Sequence, residues 1–122
     1  MTDESATLGH LKKEAAAFRD ARDWKQFHAP KELAISLAVE SAELLEHFEW
    51  KTPGQVGAML EDKAKRAEVS SELADCLFSV LLLANDLELD LSESFKEKLR
   101  EIGRKYPVEK ARGRNEKYTA YR

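Results

Sequence analysis

Glycine and proline are absent from residues 31–52 and from residues 58–102 of this 122-residue chain. Both stretches are rich in Ala, Leu, Glu and Lys, which have strong helix propensity. Five Gly and three Pro in the whole chain are too few turn formers for a sandwich or barrel of many short strands. The sequence therefore predicts an all-α fold, and its length predicts a single domain over residues 1–122.

Four long helices are predicted from the spacing of apolar residues and from capping signals. Their predicted bounds are about residues 7–22, Pro30 to about Phe48 or Trp50, about residues 63 to 85 or 87, and a start at Asp90 or Ser92 continuing to about Lys105. Residues 55–60 are expected to form a short connection that can itself be helical. The last residues have no apolar period, and we expect a basic C-terminal arm over about residues 106–122.

The cysteine content and the apolar runs indicate the compartment. Cys76 is the single cysteine, which excludes an internal disulfide framework and fits a reducing intracellular setting. The N-terminal residues carry acids where an export signal needs a basic and then an apolar stretch. The longest apolar run, from Cys76 to Ala84, is far shorter than the ~18 residues of a membrane span. We therefore expect a cytoplasmic protein.

Charge is distributed unevenly along the chain, although the net charge is only −3. Residues 100–122 contain eight basic and three acidic residues and so carry +5, which leaves −8 on residues 1–99. A basic tail on an acidic body can be a solvated surface, a nucleic-acid-binding element, or a device that holds a polyanion beside a bound metal. Composition alone leaves these three alternatives open.

Two pairs of acids with i, i+3 spacing lie on predicted helices, Glu40 with Glu43 and Glu72 with Asp75. The first pair borders an apolar arc on a helical wheel, and the segment after Asp75 is apolar on every side, which predicts burial on all faces. Carboxylates beside a dry core cost several kcal/mol unless they are paired, protonated or bound to metal. Solvated helix faces are the alternative for such acids. We assign four other glutamates to solvated faces: Glu46, Glu49, Glu61 and Glu68.

An all-oxygen ligand set narrows the choice of metal. Di-iron bundles combine carboxylates with histidine in Glu-x-x-His motifs, and none of His10, His28 and His47 follows a glutamate at that spacing. Carboxylates alone favour the hard ions Mg²⁺ or Mn²⁺ over Zn²⁺ or redox iron. Mg²⁺ held by a few carboxylates commonly completes its coordination with substrate phosphates, and a basic tail suits such a substrate.

Three stretches of sequence give the chain a specific resemblance to a known family. Residues 22–51 read RDWKQFHAPKELAISLAVESAELLEHFEWK, residues 70–84 read SSELADCLFSVLLLA, and residues 105–119 read KYPVEKARGRNEKYT. Together with the two acid pairs, these stretches resemble the all-α nucleoside triphosphate pyrophosphohydrolases of the MazG-like type, and more closely their dCTP pyrophosphatase branch.

The resemblance implies a fold, an assembly and an activity. The implied fold is a four-helix bundle, assembled as a dimer or tetramer whose active sites use residues from more than one subunit. The implied activity is Mg²⁺-dependent hydrolysis of (deoxy)nucleoside triphosphates, dCTP or related dNTPs, to a nucleoside monophosphate and pyrophosphate, in control of the nucleotide pool. Four acids would hold the metal: Glu40, Glu43, Glu72 and Asp75.

Substrate-binding residues are implied by the same resemblance. Residues 24–28 match the base and sugar pocket of the family, which here consists of Trp24, Lys25, Gln26, Phe27 and His28. Trp50 and Lys51 match the other aromatic wall of that pocket. One position departs from the family pattern, since many relatives carry Asn where this chain has Ile102, and this leaves the preferred base and sugar open.

The chemistry of individual side chains adds further candidates. Glu40 or Glu43 can serve as the general base, and the sequence does not choose between them. The aromatic rings of Trp24, Phe27 and Trp50 can stack on a base, an interaction worth about 1–3 kcal/mol, with a place in the bundle core as the alternative. Four further residues are candidate phosphate partners: Lys98, Arg112, Lys117 and Tyr118.

The leading alternative function is a non-catalytic helical interaction or adaptor module whose acidic face binds a basic partner. A stable nucleic-acid complex is disfavoured, because the −8 charge of the body would repel a phosphate backbone.

Overall fold

The structure is a computed structural model that describes residues 1–121, and these residues contain helices and turns but no strand. The predicted all-α class is therefore confirmed. The fold divides into two compact units, the first over Met1–Glu88 and the second beginning at Leu89. The prediction of a single domain over residues 1–122 stays a prediction.

Four helices build the first unit: α1 (Leu8–Ala21), α2 (Pro30–Glu46), α3 (Pro53–Glu61) and α4 (Lys63–Asp86). A short 3-10 turn over Lys25–Phe27 connects α1 to α2. The longest helix, α4, is the centre of the unit, since it packs most extensively against α2 and also contacts α1 and α3. Acidic residues on the facing sides of α2 and α4 are therefore positioned by two packed helices.

The helix starts follow the capping signals of the sequence. Thr7 caps α1 through its hydroxyl, and Pro30 occupies the first turn of α2, where its missing N–H is not needed. Thr52 and Gln55 form a capping box at the start of α3. Asp62 caps α4 by accepting from two backbone N–H groups. The short connection that the sequence predicts as optionally helical is thus a complete helix.

The end of α2 differs from the prediction. The helix stops at Glu46, and residues 47–50 form a turn rather than continuing to Phe48 or Trp50. Trp50 has a φ of 63°, in the left-handed region. A bulky residue reaches this conformation at a cost of roughly 1–2 kcal/mol.

The core of the first unit is small. Leu82 is completely buried, together with Leu81 and Ala84 of α4 and Leu33 of α2. The expectation that α4 is buried on all faces after Asp75 is wrong for this chain, because Leu77 is 40% exposed. The apolar arc of α2 is likewise only partly covered, with Leu45 58% exposed.

Polar contacts fix α1 against α4. Arg19 is buried, and its guanidinium donates to Asp86 at 3.2 Å and to its neighbour Asp20 at 2.9 Å. The side-chain amide of Asn85 donates to the backbone carbonyl of Lys12 at 2.9 Å. These bonds satisfy buried polar groups that would otherwise be costly and so fix how α1 lies along α4.

The second unit contains α5 (Leu91–Lys105), the short helix α6 (Val108–Ala111) and a 3-10 turn over Tyr118–Ala120. Asp90 is the N-cap of α5, and its carboxylate accepts from the backbone N–H of Glu93 at 2.9 Å. The ring of Tyr106 packs edge-on against Tyr118 and Tyr121, with centroids 5.8 and 5.9 Å apart. The predicted C-terminal arm is therefore ordered through residue 121, and Arg122 lies outside the described residues.

The part of the chain that the structure describes has no helix with the length and apolarity needed to cross a bilayer.

Candidate functional site

Three carboxylates meet where α2 packs on α4. Glu40 and Glu43 lie one turn apart on α2, and Glu72 reaches them from α4. One carboxylate oxygen from each residue lies within 4.8 Å of the other two. The i, i+3 spacing places both α2 acids on one face of the helix, and the packing of α4 against that face adds the third.

Two of the three carboxylates have a buried oxygen without a hydrogen-bond partner within residues 1–121. Oε2 of Glu40 and Oε2 of Glu72 are both buried, and neither has a hydrogen-bond partner among the described residues. A buried acceptor without a partner costs about 1–3 kcal/mol, and more when it is charged. A bound cation would satisfy both oxygens, and a set of carboxylate oxygens suits Mg²⁺ or Mn²⁺. The residues present therefore fit a hard divalent metal ion.

Burial, and then repulsion between neighbouring carboxylates, raises the pKa of two acids in this cluster. Burial raises the pKa of Glu40 from 4.5 to about 7, with further contributions from the hydrogen bond and charge of Glu43 and from the charges of Asp75 and Glu72. Burial and the charge of Glu43 also raise the pKa of Glu72. The ionised forms of these carboxylates are therefore disfavoured here, and a divalent cation would stabilise them.

Asp75 lies at the edge of the cluster. It is exposed, and it is not one of the three residues whose oxygens converge within 4.8 Å. Its charge nevertheless raises the pKa of Glu40, of Glu72 and of the Cys76 thiol, for which burial is the main cause. Asp75 therefore faces the same site, and its role as a fourth metal ligand stays a prediction.

The aromatic loop after α1 continues an aromatic cluster. The rings of Trp24 and Phe18 pack edge to face with centroids 5.8 Å apart, and Phe18 contacts Phe78 of α4 at 6.0 Å. The His28 ring lies 6.0 Å from the Trp24 ring, and its Nδ1 is buried without a hydrogen-bond partner among the described residues. Trp24 and His28 are therefore brought together, with a buried polar atom available to a ligand.

The other residues of the predicted base and sugar pocket lie at the surface. Lys25, Gln26 and Phe27 form the 3-10 turn and are exposed. The amide of Gln26 donates to the backbone carbonyl and to the carboxylate of Asp23, each at 3.1 Å. Phe27 is 64% exposed, which is not a core position and leaves its ring free to contact a ligand.

Trp50 and Lys51 follow α2 on the surface of the first unit. Both are exposed, Trp50 to 94%. An indole ring that is almost fully exposed in a left-handed backbone conformation contributes little to folding. Packing therefore does not account for Trp50, and its role toward a substrate stays a prediction.

The predicted phosphate partners belong to the second unit. Lys98 pairs with Glu101 at 3.2 Å, and the ammonium group of Lys117 lies 5.9 Å from the Tyr118 ring centroid. Arg112 follows α6 and is exposed. Ile102 is on α5 and partly exposed. The roles of these residues toward a substrate stay predictions.

A cavity of about 550 Å³ between α1 and α4 was not predicted. From α1 its walls are formed by Leu11, Glu14, Ala15 and Phe18, and from α4 by Ala74, Asp75, Leu77, Phe78 and Leu81. The sequence places Leu11, Ala15 and Phe18 on one face of α1, which indicates a core face. The structure shows that this face is only partly covered. A helical wheel cannot distinguish a face that packs in a core from one that forms the wall of a cavity.

His47 lies near the acid cluster and was not predicted as a site residue. Its Nδ1 lies 3.8 Å from an oxygen of Glu68, and its charge lowers the pKa of Glu72 against the prevailing trend. The spacing of four residues from Glu43 and seven from Glu40 is the signal that could have placed it on the acidic face of α2.

Comparison with known proteins identifies the class to which this fold and site belong. The sequence matches the model of the MazG-like family over residues 35–120. The chain belongs to the MazG-like family, and the resemblance to that family is confirmed.

Individual relatives agree with this assignment. The chain is 37% identical to dCTP pyrophosphatase 1 of Homo sapiens over 113 residues, 93% of this chain and 66% of the human protein. It is 36% identical to dCTP pyrophosphatase 1 of Bos taurus over 113 residues, which covers 93% of this chain and 67% of that protein. The chain thus spans about two thirds of the length of these curated relatives.

A solved structure is similar along nearly its whole length. The crystal structure of a pyrophosphatase from Archaeoglobus fulgidus is 35% identical to this chain, with a TM-score of 0.77. The similarity covers 88% of this chain and 98% of the archaeal one. This likeness confirms the all-α fold of the pyrophosphatase type.

Proposed function

We propose that this chain hydrolyses (deoxy)nucleoside triphosphates, with dCTP or a related dNTP as substrate, to a nucleoside monophosphate and pyrophosphate. The observation that carries the proposal is the convergence of Glu40, Glu43 and Glu72 within 4.8 Å, with two buried oxygens that lack partners. The names of the relatives, dCTP pyrophosphatase 1 in two mammals and a pyrophosphatase in an archaeon, support the same reaction class.

Glu40, Glu43 and Glu72 would hold Mg²⁺, with Mn²⁺ as a substitute and Asp75 as a fourth ligand. A divalent ion bound there supplies charge neutralisation at the phosphates and lowers the pKa of an attacking water. Glu40 or Glu43 accepts a proton from that water while the oxygen of the water forms a bond to phosphorus. The phosphoanhydride bond breaks, and the electron pair leaves with the pyrophosphate.

The nucleoside part of the substrate is assigned to the first unit. The cavity between α1 and α4 begins at Asp75, beside the acid cluster, and contains Phe18, which contacts Trp24 of the aromatic loop. Volumes of about 300–1,000 Å³ with mostly apolar walls are usual for small-molecule sites. His28, with its unpartnered Nδ1, adds one polar contact for a base or sugar.

Self-association into a dimer or tetramer is part of the proposal. Apolar side chains of α2 and α4 lie exposed in the single chain, among them Ile35, Val39 and Leu73. Exposed apolar surface on helices that also carry the acid cluster is expected where subunits meet close to an active site. Size-exclusion chromatography with light scattering tests the assembly, and a monomer at micromolar concentration would exclude it.

The reaction is tested with a panel of dCTP, dATP, dGTP, dTTP and dUTP in the presence of Mg²⁺ or Mn²⁺, with separation of the products. We expect a monophosphate and pyrophosphate in equal amounts. Release of orthophosphate without pyrophosphate would contradict the proposal.

A thermal-shift assay separates this proposal from a non-catalytic adaptor. An enzyme is stabilised by Mg²⁺ together with a non-hydrolysable dNTP, because the ligand binds the folded state alone. An adaptor that binds a basic protein would show little change with the nucleotide.

A further inference from the structure

Glu14 lines the cavity and has no role in the reaction as proposed so far. The cavity has mostly apolar walls, and Glu14 and Asp75 are its two acidic residues. Asp75 interacts electrostatically with Glu40 and Glu72 and so belongs to the end of the cavity near the acid cluster. Glu14, from the opposite helix α1, is not among the charges that influence these two acids.

The surroundings of Glu14 suit the flat face and polar edge of a base. Ala15 and Ala74 are small residues that leave space between α1 and α4, and the rings of Phe18 and Phe78 stand edge to face at 6.0 Å. Aromatic rings offer stacking surfaces that accept any base. Apolar walls hold a base without choosing among bases, so a selective contact has to come from a polar side chain at the rim.

The Glu14 carboxylate is suited to that contact. It is exposed at the edge of the cavity, and no ion pair within residues 1–121 engages it. An ionised carboxylate only accepts hydrogen bonds. It therefore favours a base edge that carries an amino group, as in acceptance from the N4 amino group of cytosine, and it repels a carbonyl oxygen at the same position.

We propose that Glu14 is a specificity-determining residue that selects bases with an exocyclic amino group, and cytosine over uracil in particular. This inference rests on the proposed function, because it assumes that the phosphates of a nucleotide lie at the acid cluster. The inference adds a preference among bases, and it assigns that preference to a residue of α1 rather than to the aromatic loop.

The test compares dCTP with dUTP, which differ at position 4 of the base by an amino group and an oxygen. The ratio of kcat/KM for dCTP to that for dUTP is measured in wild type, E14Q and E14A. We expect both variants to lower this ratio about tenfold to a hundredfold, the range for one hydrogen bond to a charged group. The loss for dCTP is expected in KM more than in kcat, because Glu14 contacts the base and not the reacting atoms.

The control is E61Q, which makes the same chemical change at an exposed residue of α3 outside the cavity. It should leave the ratio unchanged. Isothermal titration of non-hydrolysable dCTP and dUTP analogues gives the same comparison without turnover.

The two proposals fail in different ways. An unchanged dCTP to dUTP ratio in E14Q and E14A, with pyrophosphate still released, would overturn the role of Glu14 and leave the reaction standing. Absence of pyrophosphate release by wild type from every nucleotide would overturn the proposed function itself. Equal use of dCTP and dUTP by wild type would also overturn the role of Glu14.

Discussion

Glu40 of α2 and Glu72 of α4 bring carboxylate oxygens within 4.8 Å of each other, and each has a buried Oε2 without a hydrogen-bond partner among the described residues. Both acids also have a raised pKa, caused first by burial and then by neighbouring carboxylates. Hydrophobic residues of similar size could have joined the two helices here without this repulsion. The contact between the two acids costs free energy unless one of the acids is protonated or a cation lies between them.

Glu72→Gln should abolish most activity while it stabilises the metal-free fold. The substitution removes a ligand charge, and a metal ion contributes several kcal/mol of transition-state stabilisation. Since 1.4 kcal/mol corresponds to tenfold in rate, we expect kcat to fall at least about a hundredfold. The melting temperature in EDTA should rise, because one repelling charge is gone. Pyrophosphate release and circular dichroism melts measure the two effects.

Glu46→Gln is the matched control for this change, since Glu46 is an exposed residue of α2 that is absent from the acid cluster. It should retain wild-type kcat. Full activity in E72Q would contradict the assignment of Glu72 as a metal ligand, whatever its effect on melting.

The pH dependence of stability should report on Glu40. Its pKa lies at about 7 in the folded chain against an ordinary value of 4.5, so the folded state binds the proton more tightly than the unfolded state. The free energy of unfolding of the metal-free protein should therefore rise as pH falls through about 7 toward 4.5. Glu40→Gln removes this contribution.

Melts of wild type and E40Q in EDTA at several pH values between about 5 and about 8 check this expectation. E40Q should be more stable than wild type above pH 7, and the difference should shrink at lower pH. A difference that stays constant over this range would show that Glu40 titrates normally. Addition of Mg²⁺ at the upper end should stabilise wild type and reverse the order of the two proteins.

The Arg19 contact with Asp86 should hold α1 in place. Asp86→Asn removes the charge that faces a guanidinium of which only 6% of the side chain is exposed. Breaking a buried ion pair typically costs 3–5 kcal/mol, and we expect about 3 kcal/mol because Asp20 keeps its own contact with Arg19. Urea unfolding measures the loss. Asp20→Asn, at an exposed residue, should cost less than about 1 kcal/mol, and equal losses in both variants would contradict the dominance of Asp86.

Much of the fold could be predicted because local signals determine helix ends. Pro30 and the Asp90 cap are local features of the sequence, and they start α2 and α5 where the structure has them. The end of α2 could not be predicted in the same way. Its residues favour helix as far as Trp50, and the left-handed conformation of Trp50 depends on how the chain must turn to enter α3.

The site was predictable to a different degree for its different parts. The i, i+3 spacing placed Glu40 and Glu43 together because one helix determines their distance. Their distance to Glu72 depends on how α2 packs on α4, which a helical wheel does not contain. Glu14 was missed for the same reason, since an acid becomes a cavity residue only when a second helix forms the opposite wall.

Trp50→Gly should separate stability from substrate binding. Trp50 is 94% exposed and has a φ of 63°, so glycine relieves backbone strain at almost no cost in packing. We expect the free energy of unfolding to stay level or rise by up to about 1 kcal/mol, while KM for the dNTP rises about tenfold through the lost stacking surface. Trp24→Ala is the contrasting variant, because Trp24 packs on Phe18 and contacts the His28 ring. It should lower stability and raise KM together. A W50G protein that loses more than about 1 kcal/mol of stability would show that the indole packs within the folded protein.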